Sequence, residues 1–281
     1  MRFLFVLLCL SMQAVFAQKE MNVMTYNIRL GIASDGDNQW ANRRKNLASI
    51  LTFFEVDICG MQEAFISQIN DLEQLLPDKY GWVGKGRDDG KQAGEFSCIF
   101  YRKDKYTLLS TETFWLSEHP EKPGLGWEAR YNRVVTYAKF ERQADKKIFY
   151  VFNTHFDHEA VVARRESAKL LLARIKEIAG NTPTLITGDF NAVPSSEPIQ
   201  ILTDSNNPDH LLDTENLSES PHFGPYSSFT GFQIREQEGM RIDYIFVKNG
   251  DFKVRKHATI SEAWNGKFAS DHHPVMAVLA F

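Results

Sequence analysis

Thr184-Leu185-Ile186-Thr187-Gly188-Asp189-Phe190-Asn191 decides how the chain is read. The first four residues suit a buried strand, and the run then delivers a carboxylate and an amide where a core would have no reason to place them. Just before it, residues Glu159 to Ala179 read as one long helix with Val161, Ala168, Leu171, Leu172, Ile175 and Ile178 on a single stripe. Gly180 and Pro183 stop that helix. A helix leading into a buried strand that ends in polar groups is the arrangement of α/β proteins, whose ligands collect at strand ends.

Working outward, other strands end the same way. Asn27 follows Val23-Met24-Thr25-Tyr26, Gln62 and Glu63 follow Ile58-Cys59-Gly60-Met61, and Asn153-Thr154-His155-Phe156-Asp157-His158 closes another run. Asp243 lies in Arg241-Ile242-Asp243-Tyr244-Ile245-Phe246, and Ser270-Asp271-His272-His273-Pro274 precedes the last strand. The first half alternates a strand near Asn22 to Arg29, a helix near Gln39 to Phe54, a strand near Asp57 to Gln62 and a helix near Ile66 to Leu76. Trp40, Leu47, Ile50, Leu51 and Phe54 share a face of the first helix, with Asp37 or Asn38 as its expected cap. Strand-like runs follow at Phe96 to Arg102, Lys105 to Trp115, Val134 to Phe140 and Lys147 to Asn153. The second half adds a helix near Glu197 to Leu202 and strands near Ile242 to Val247, Lys253 to Ile260 and Val275 to Ala280. Two packed mixed β-sheets flanked by helices account for this order.

The first residues are of another kind. Met1 and Arg2, the apolar run Phe3 to Leu10 and the ending Val15-Phe16-Ala17 make a secretory signal peptide, with cleavage expected after Ala17. The apolar run is shorter than the roughly 18 residues a spanning helix needs. This divides the chain into residues 1–17 and one domain over residues 18–281. It implies an exported protein, periplasmic or extracellular. Loss of Arg2 takes the formal charge from −4 to −5. That mild acidity disfavours a clamp on long nucleic acid, although a local basic patch would be compatible with it. Hydrophobic residues make up 43% of the chain, enough to fill the core of one large α/β domain. Cys59 and Cys98 each sit in an apolar run; buried free thiols are the simpler reading, and a disulfide is the alternative that export permits.

If Glu63, Asp189, Asp243 and Asp271 converge, their repulsion would keep some of them protonated at neutral pH unless a cation sits among them. Carboxylates and amides are hard oxygen ligands and point to Mg²⁺, with Mn²⁺ or Ca²⁺ as alternatives. Zinc is disfavoured there, since no paired-cysteine or His-x-x-x-His set is present. Each element alone has an ordinary explanation: Asn27 as a turn or cap, Glu63 as a solvated strand end, Gly-Asp-Phe-Asn as a turn, and His273 as a structural or solvent-facing residue.

Their order is more informative. Thr25-Tyr26-Asn27-Ile28-Arg29, Met61-Gln62-Glu63, Asn153-Thr154-His155, Gly188-Asp189-Phe190-Asn191, Arg241-Ile242-Asp243-Tyr244-Ile245 and Ser270-Asp271-His272-His273-Pro274 resemble, in order, the motifs of the endonuclease/exonuclease/phosphatase superfamily with its deoxyribonuclease I-like fold. The resemblance covers about residues 21 to 281 and suits an exported bacterial-type member. It implies a four-layer α/β sandwich and a phosphoesterase that uses a divalent metal and in-line attack of water. It also implies that Glu63 is the principal metal ligand, helped by Asn27 and Asp271, that Asp189 orients or deprotonates the water, and that Asn191 holds the water or a phosphate oxygen. Asp243 would bond His272, His155 would face the phosphate, and Arg133 would contact it through its planar fork.

The substrate is less legible. A phosphodiester or phosphomonoester of a small molecule, nucleotide or headgroup fits the set; a nuclease on DNA or RNA is the alternative. A catalytically silent phospho-ligand binder would be expected to lack Glu63, Asp189 or His272, and all three are present. The loop from Phe114-Trp115 to Gly126-Trp127 could stack on a substrate, though packing under the loop is the simpler reading of both tryptophans. Trp264 and Phe232 are further candidates for pocket walls, and no stable membrane span or protein partner is indicated.

Overall fold

The computed structural model describes residues 20–250 and 252–281, so the expected signal peptide lies outside the described residues. In chain order the elements are β1 (Glu20–Asn27), α1 (Trp40–Phe53), β2 (Ile58–Ala64), α2 (Ile66–Leu75), β3 (Tyr80–Val83), β4 (Phe96–Arg102) and β5 (Tyr106–Trp115). There follow β6 (Val134–Arg142), β7 (Ile148–His155), α3 (Val161–Ala179), β8 (Thr184–Asp189), α4 (Glu197–Thr203), β9 (Leu212–Asp213) and α5 (Thr214–Leu217). The chain closes with β10 (Asp243–Lys248), β11 (Lys253–Thr259), the short hairpin β12 (Ala263–Trp264) and β13 (Lys267–Phe268), and β14 (Val275–Ala280). One six-stranded sheet has the order β11-β14-β1-β2-β4-β3 and the other β5-β6-β7-β8-β10-β9.

Each sheet has one central parallel pair, β1 with β2 and β7 with β8. Parallel neighbours need a crossover, and α1 and α3 supply it. The four-layer α/β sandwich follows from the three faces that must be buried. Met21, Val23, Ile58 and Ile99 of the first sheet meet Ala138, Phe140, Phe149, Val151, Leu185 and Ile245 of the second. On the first sheet's outer face Met24, Tyr26, Cys59, Met61 and Phe100 take Leu47, Ile50 and Leu51 of α1 and Ile69 and Leu72 of α2. On the second sheet's outer face Phe152, Ile186, Tyr244 and Phe246 take Ala168, Leu171, Leu172 and Ile175 of α3. The period of two along each strand sorts these residues between the two faces.

The same period makes the site. On the face between the sheets β1 runs Val23, Thr25, Asn27; β2 runs Ile58, Gly60, Gln62; β7 runs Val151, Asn153, His155; and β8 runs Leu185, Thr187, Asp189. Each passes from apolar to polar toward its C-terminal end, and antiparallel β10 meets them with Asp243 at its start. The middle layer staples the sheets: Gln62 Nε2 donates to Asn153 Oδ1 (2.6 Å) and Thr25 Oγ1 (3.1 Å), and Asn153 Nδ2 donates to the carbonyls of Met61 and Cys98, both at 2.8 Å. Gly60 lets the sheets approach here, because a Cβ would stand 2.0 Å from Thr187 Oγ1.

The structure corrects details of the reading. No side chain caps α1; its N-cap is Gln39, while Asp37 pairs with Lys267 at 2.7 Å. Strand β3, helix α5 and the β12–β13 hairpin carried no period long enough to be seen in the sequence. Cys59 and Cys98 are free and buried. Among the described residues no helix is long and apolar enough to cross a membrane.

Candidate active site

At the polar ends of the strands lies a cleft of about 620 Å³ whose walls include Glu63, His155, Asp189, Asn191, Asp271 and His272. Register puts Asp189 between His155 on β7 and Asp243 on β10. Asp243 sits behind the wall, 2.8 Å from His272 Nδ1 through Oδ2. That bond turns His272 Nε2 toward Asp189 Oδ2, 3.8 Å away. Asn27 Nδ2 reaches across from the first sheet to Asp189 Oδ2 (2.9 Å) and also donates to Glu63 Oε1 (3.0 Å). Its amide oxygen accepts from the Arg29 N–H at 3.0 Å, so in this structure Asn27 aligns the two carboxylates through its nitrogen.

Glu63 is in the cleft because β2 breaks its alternation. Strict alternation after inward-facing Gln62 would send Glu63 to the helix side. A bulge between Met61 and Ala64, with Glu63 at φ 59°, swings it inward, and the Leu30 N–H holds Oε2 at 2.9 Å. Asn191 also has positive φ, at 47°; its N–H donates to Asp189 Oδ1 (2.9 Å) and its Nδ2 lies 3.0 Å from both His155 Nε2 and the Phe156 carbonyl.

The charge environment is polarised. Burial, then the neighbouring Asp243 carboxylate, pushes Asp189 up to about 7. Burial and Glu63 likewise raise Asp271, against the pull of His272 and Arg29. Burial alone would lower His272, but the Asp243 and Asp189 carboxylates outweigh it and lift it to about 10. His155 goes the other way, held well below its ordinary value by burial and by Arg133 and Arg87. Crowded carboxylates of this kind are relieved by a cation. Donor atoms of Asp189, Asp243 and His272 lie within 4.8 Å of one another, and Asp243 Oδ1 is buried with no hydrogen-bond partner. Glu63 and Asp271 both line the cleft, close enough that Glu63 raises Asp271, and such hard carboxylate oxygens fit a divalent metal.

The opposite wall carries two arginines, Arg87 and Arg133, each beside a carboxylate. Arg133 is buried, with Nε and Nη1 unpartnered; Nη2 lies 2.9 Å from His158 Nδ1, and Asp157 stands 3.6 Å off, beyond hydrogen-bond range. Asp157 itself accepts from the N–H groups of Glu159 and Ala160, in the turn that precedes α3. Arg87, Glu95, Tyr131 and His158 also line the cleft and were not singled out from the sequence. Arg87 donates to Glu95 at 2.7 Å and stacks 5.1 Å over Tyr131, leaving its Nε unpartnered. Its segment, Lys85-Gly86-Arg87-Asp88-Asp89-Gly90, reads as a polar turn; backbone bonds to Ala93 and Glu95 shape it, and Trp115 ties it to the second sheet, its indole N–H donating to the Arg87 carbonyl at 2.6 Å. Trp115 thus packs under the loop, and Trp127, Trp264 and Phe232 are not among the residues lining the cleft. His273 is buried against Phe268 and faces away from the chemistry.

Comparison with known proteins agrees with this geometry. The profile of the Endonuclease/Exonuclease/phosphatase family matches residues 24–272. An endonuclease/exonuclease/phosphatase from Bacteroides vulgatus is 38% identical, with TM-score 0.88 over 93% of this chain and 99% of that one. A mannosyl-6-phosphatase from Bacteroides thetaiotaomicron is 32% identical, with TM-score 0.88 over 93% of this chain and 100% of its own. Protein angel of Drosophila melanogaster is 26% identical over 265 residues, covering 85% of this chain and 72% of that protein. A match of this extent, on a chain whose polar strand ends meet in one cleft, settles the family: this is a member of the endonuclease/exonuclease/phosphatase family, a hydrolase of phosphoester bonds.

Proposed function

We propose that this protein is exported and removes the terminal phosphate from a small phosphorylated polyol or sugar, using Mg²⁺. The carrying observation is the pairing of Arg87 and Arg133 on one wall of the cleft with buried N–H donors that have no partner. A phosphomonoester dianion has more charge and more free oxygens to offer such donors than a diester inside a polymer. The likeness to a mannosyl-6-phosphatase supports this substrate class, and the pattern of residues 1–17 supports export.

Glu63, with Asp271, would hold the cation; Asn27, expected as a further ligand, turns its amide nitrogen to Glu63 and its oxygen to the Arg29 N–H, and so would position Glu63 instead. Bound there, the cation supplies Lewis-acid stabilisation of charge on the phosphoryl oxygens. The side chains do the rest. Arg87 and Arg133 bind non-bridging oxygens, and His272, oriented by Asp243, donates from Nε2. Asn191 and Asp189 position a water, and Asp189 takes its proton as the water oxygen attacks phosphorus. The ester oxygen leaves with its electron pair and acquires a proton, so no covalent enzyme intermediate is needed.

The test compares p-nitrophenyl phosphate with bis-p-nitrophenyl phosphate, then hexose 6-phosphates by phosphate release. Monoester turnover should exceed diester turnover, vanish with EDTA and return with Mg²⁺. Arg87→Ala and Arg133→Ala should each lower monoester kcat/KM by about 10²- to 10³-fold. Preferential diester cleavage would move the reading to a nuclease or other phosphodiesterase, and turnover unchanged by EDTA and by Glu63→Gln would overturn the metal assignment.

A further inference from the structure

Away from the cleft, a second group of ligand-type side chains comes together from three segments. Glu215 lies on α5, His222 on the loop that follows, and His257 on β11; one donor atom from each lies within 4.8 Å of the others. The loop is held in place by backbone pairing. Glu219 N–H donates to the Val254 carbonyl (2.8 Å), Phe223 N–H to that of His257 (3.1 Å), and Thr259 N–H to that of Phe223 (2.9 Å). His222 is therefore set beside His257 by the scaffold.

We propose that Glu215, His222 and His257 form a second metal site, for a borderline transition ion such as Zn²⁺, distinct from the oxygen-rich centre of the cleft. Two imidazoles and one carboxylate are a Zn²⁺ donor set, whereas Mg²⁺ prefers oxygen alone. The histidine orientation fits. His222 Nε2 lies 3.1 Å from the Pro225 carbonyl, a bond only an N–H can make, so the lone pair is on Nδ1. That Nδ1 points at His257 Nδ1, 2.9 Å away, a hydrogen-bond distance that need open only to about 3.3 Å for both nitrogens to bind one tetrahedral ion. His257 is buried, and its Nε2 has no partner. To ligate beside His222, its lone pair must be on Nδ1, the nitrogen that faces His222, with the proton on Nε2.

The charges also permit an ion. Arg241 is the cation facing the group; its Nη2 donates to both oxygens of Asp213 (2.8 and 2.7 Å) and its Nε lies 2.6 Å from Glu215 Oε2. One guanidinium against two carboxylates leaves one negative charge, and Arg241 orients Glu215 as an outer partner would. Glu215 and His222 are half-buried, so the ion has a path in and a position open to water. The loop after His222 continues to Phe229 and Met240, which line the cleft, so the site would anchor that wall.

The experiment uses the full chain, stripped with chelator and dialysed against excess Mg²⁺, with Zn²⁺ titrated by calorimetry and Co²⁺ followed by visible absorption. Wild type should bind one Zn²⁺ equivalent in the presence of Mg²⁺, give Co²⁺ bands of imidazole ligation, and unfold at a higher temperature with Zn²⁺. His222→Ala, on a half-buried loop residue, should lose that equivalent and the temperature shift while retaining its circular dichroism, and Glu215→Gln should weaken binding at least tenfold. His272→Ala, in the cleft, should keep both signals. No Zn²⁺ binding by wild type, or binding that survives His222→Ala and disappears in His272→Ala, would overturn the proposal.

Discussion

Arg43 shows how a side chain outside the cleft can set the geometry inside it. It is buried on α1 and ends entirely on backbone carbonyls: Asn38 (2.8 Å), Ile28, Ala269 (3.0 Å) and Arg29 (2.9 Å). Ile28 and Arg29 follow Asn27, and Ala269 precedes Ser270 and Asp271, so one guanidinium fork ties together the two loops that carry Asn27 and Asp271. Gln68 braces the first of these loops from α2, accepting from Gly31 N–H (2.8 Å) and donating to the Arg29 carbonyl (2.9 Å). Replacing Arg43 with methionine would keep much of the bulk and orphan several buried acceptors, at about 1–3 kcal/mol each where water cannot reach them. Arg43→Met should therefore lower the urea midpoint strongly and reduce kcat of the folded remainder more than it raises KM. Arg43→Lys should recover only part of either, because an ammonium cannot span the fork. Full recovery by lysine would show that charge alone is needed.

Among the elements, the contact between the sheets is the one that tolerates least. Below Asn27 and Asp189 the two β-sheets touch through Thr25, Gln62, Asn153 and Thr187, all fully buried. Their hydrogen bonds give direction to a layer that packing alone would leave free to slide. Gly60 faces this layer, and a methyl group there would stand 2.0 Å from Thr187 Oγ1 and 2.4 Å from Asn153 Oδ1. Gly60→Ala must spread the sheets or displace the staple, and should cost about 1–3 kcal/mol in chemical denaturation. Because the metal-side and water-side residues belong to different sheets, activity should fall further than the loss of folded protein explains. A variant as stable and as active as wild type would mean that the sheets slide freely at this point.

Across the whole molecule, ion pairs fasten the ends of the layers opposite the cleft. Asp209, between α4 and β9, takes Lys176 of α3 at 2.7 Å and buried Lys248 of β10 at 3.0 Å. Hydrogen bonds to those two lysines hold its carboxyl below the ordinary range. Asp104, bonded by Arg102, and Asp145, bonded by Arg142, are depressed in the same way. A carboxyl depressed in the folded state binds fewer protons there than in the unfolded chain. Its contribution is complete above the unfolded value of about 4 and is lost as pH falls through the folded one. The urea midpoint should therefore decline below about pH 4. Asp209→Asn should lower the unfolding free energy by about 1–3 kcal/mol at neutral pH, by stranding the Lys248 ammonium, and should flatten the acid decline. An unchanged acid limb would assign the loss to other carboxylates.

The sequence by itself determined the elements and their ends. The stripe on α3, the buried run of β8 and the polar residues closing four strands are local patterns, and local periods follow from backbone geometry alone. The resemblance of six ordered motifs to those of the endonuclease/exonuclease/phosphatase family associated Asn27, Glu63, His155, Asp189, Asn191, Asp243, Asp271 and His272. Tertiary structure decided what depends on residues far apart in sequence. Arg87 became part of the site because Trp115 holds its loop beside Arg133, and Glu63 because a bulge reverses its side. His222 met His257 because a loop without a period lies along β11. Such contacts are set by how sheets stack and loops close, which no window of neighbouring residues encodes.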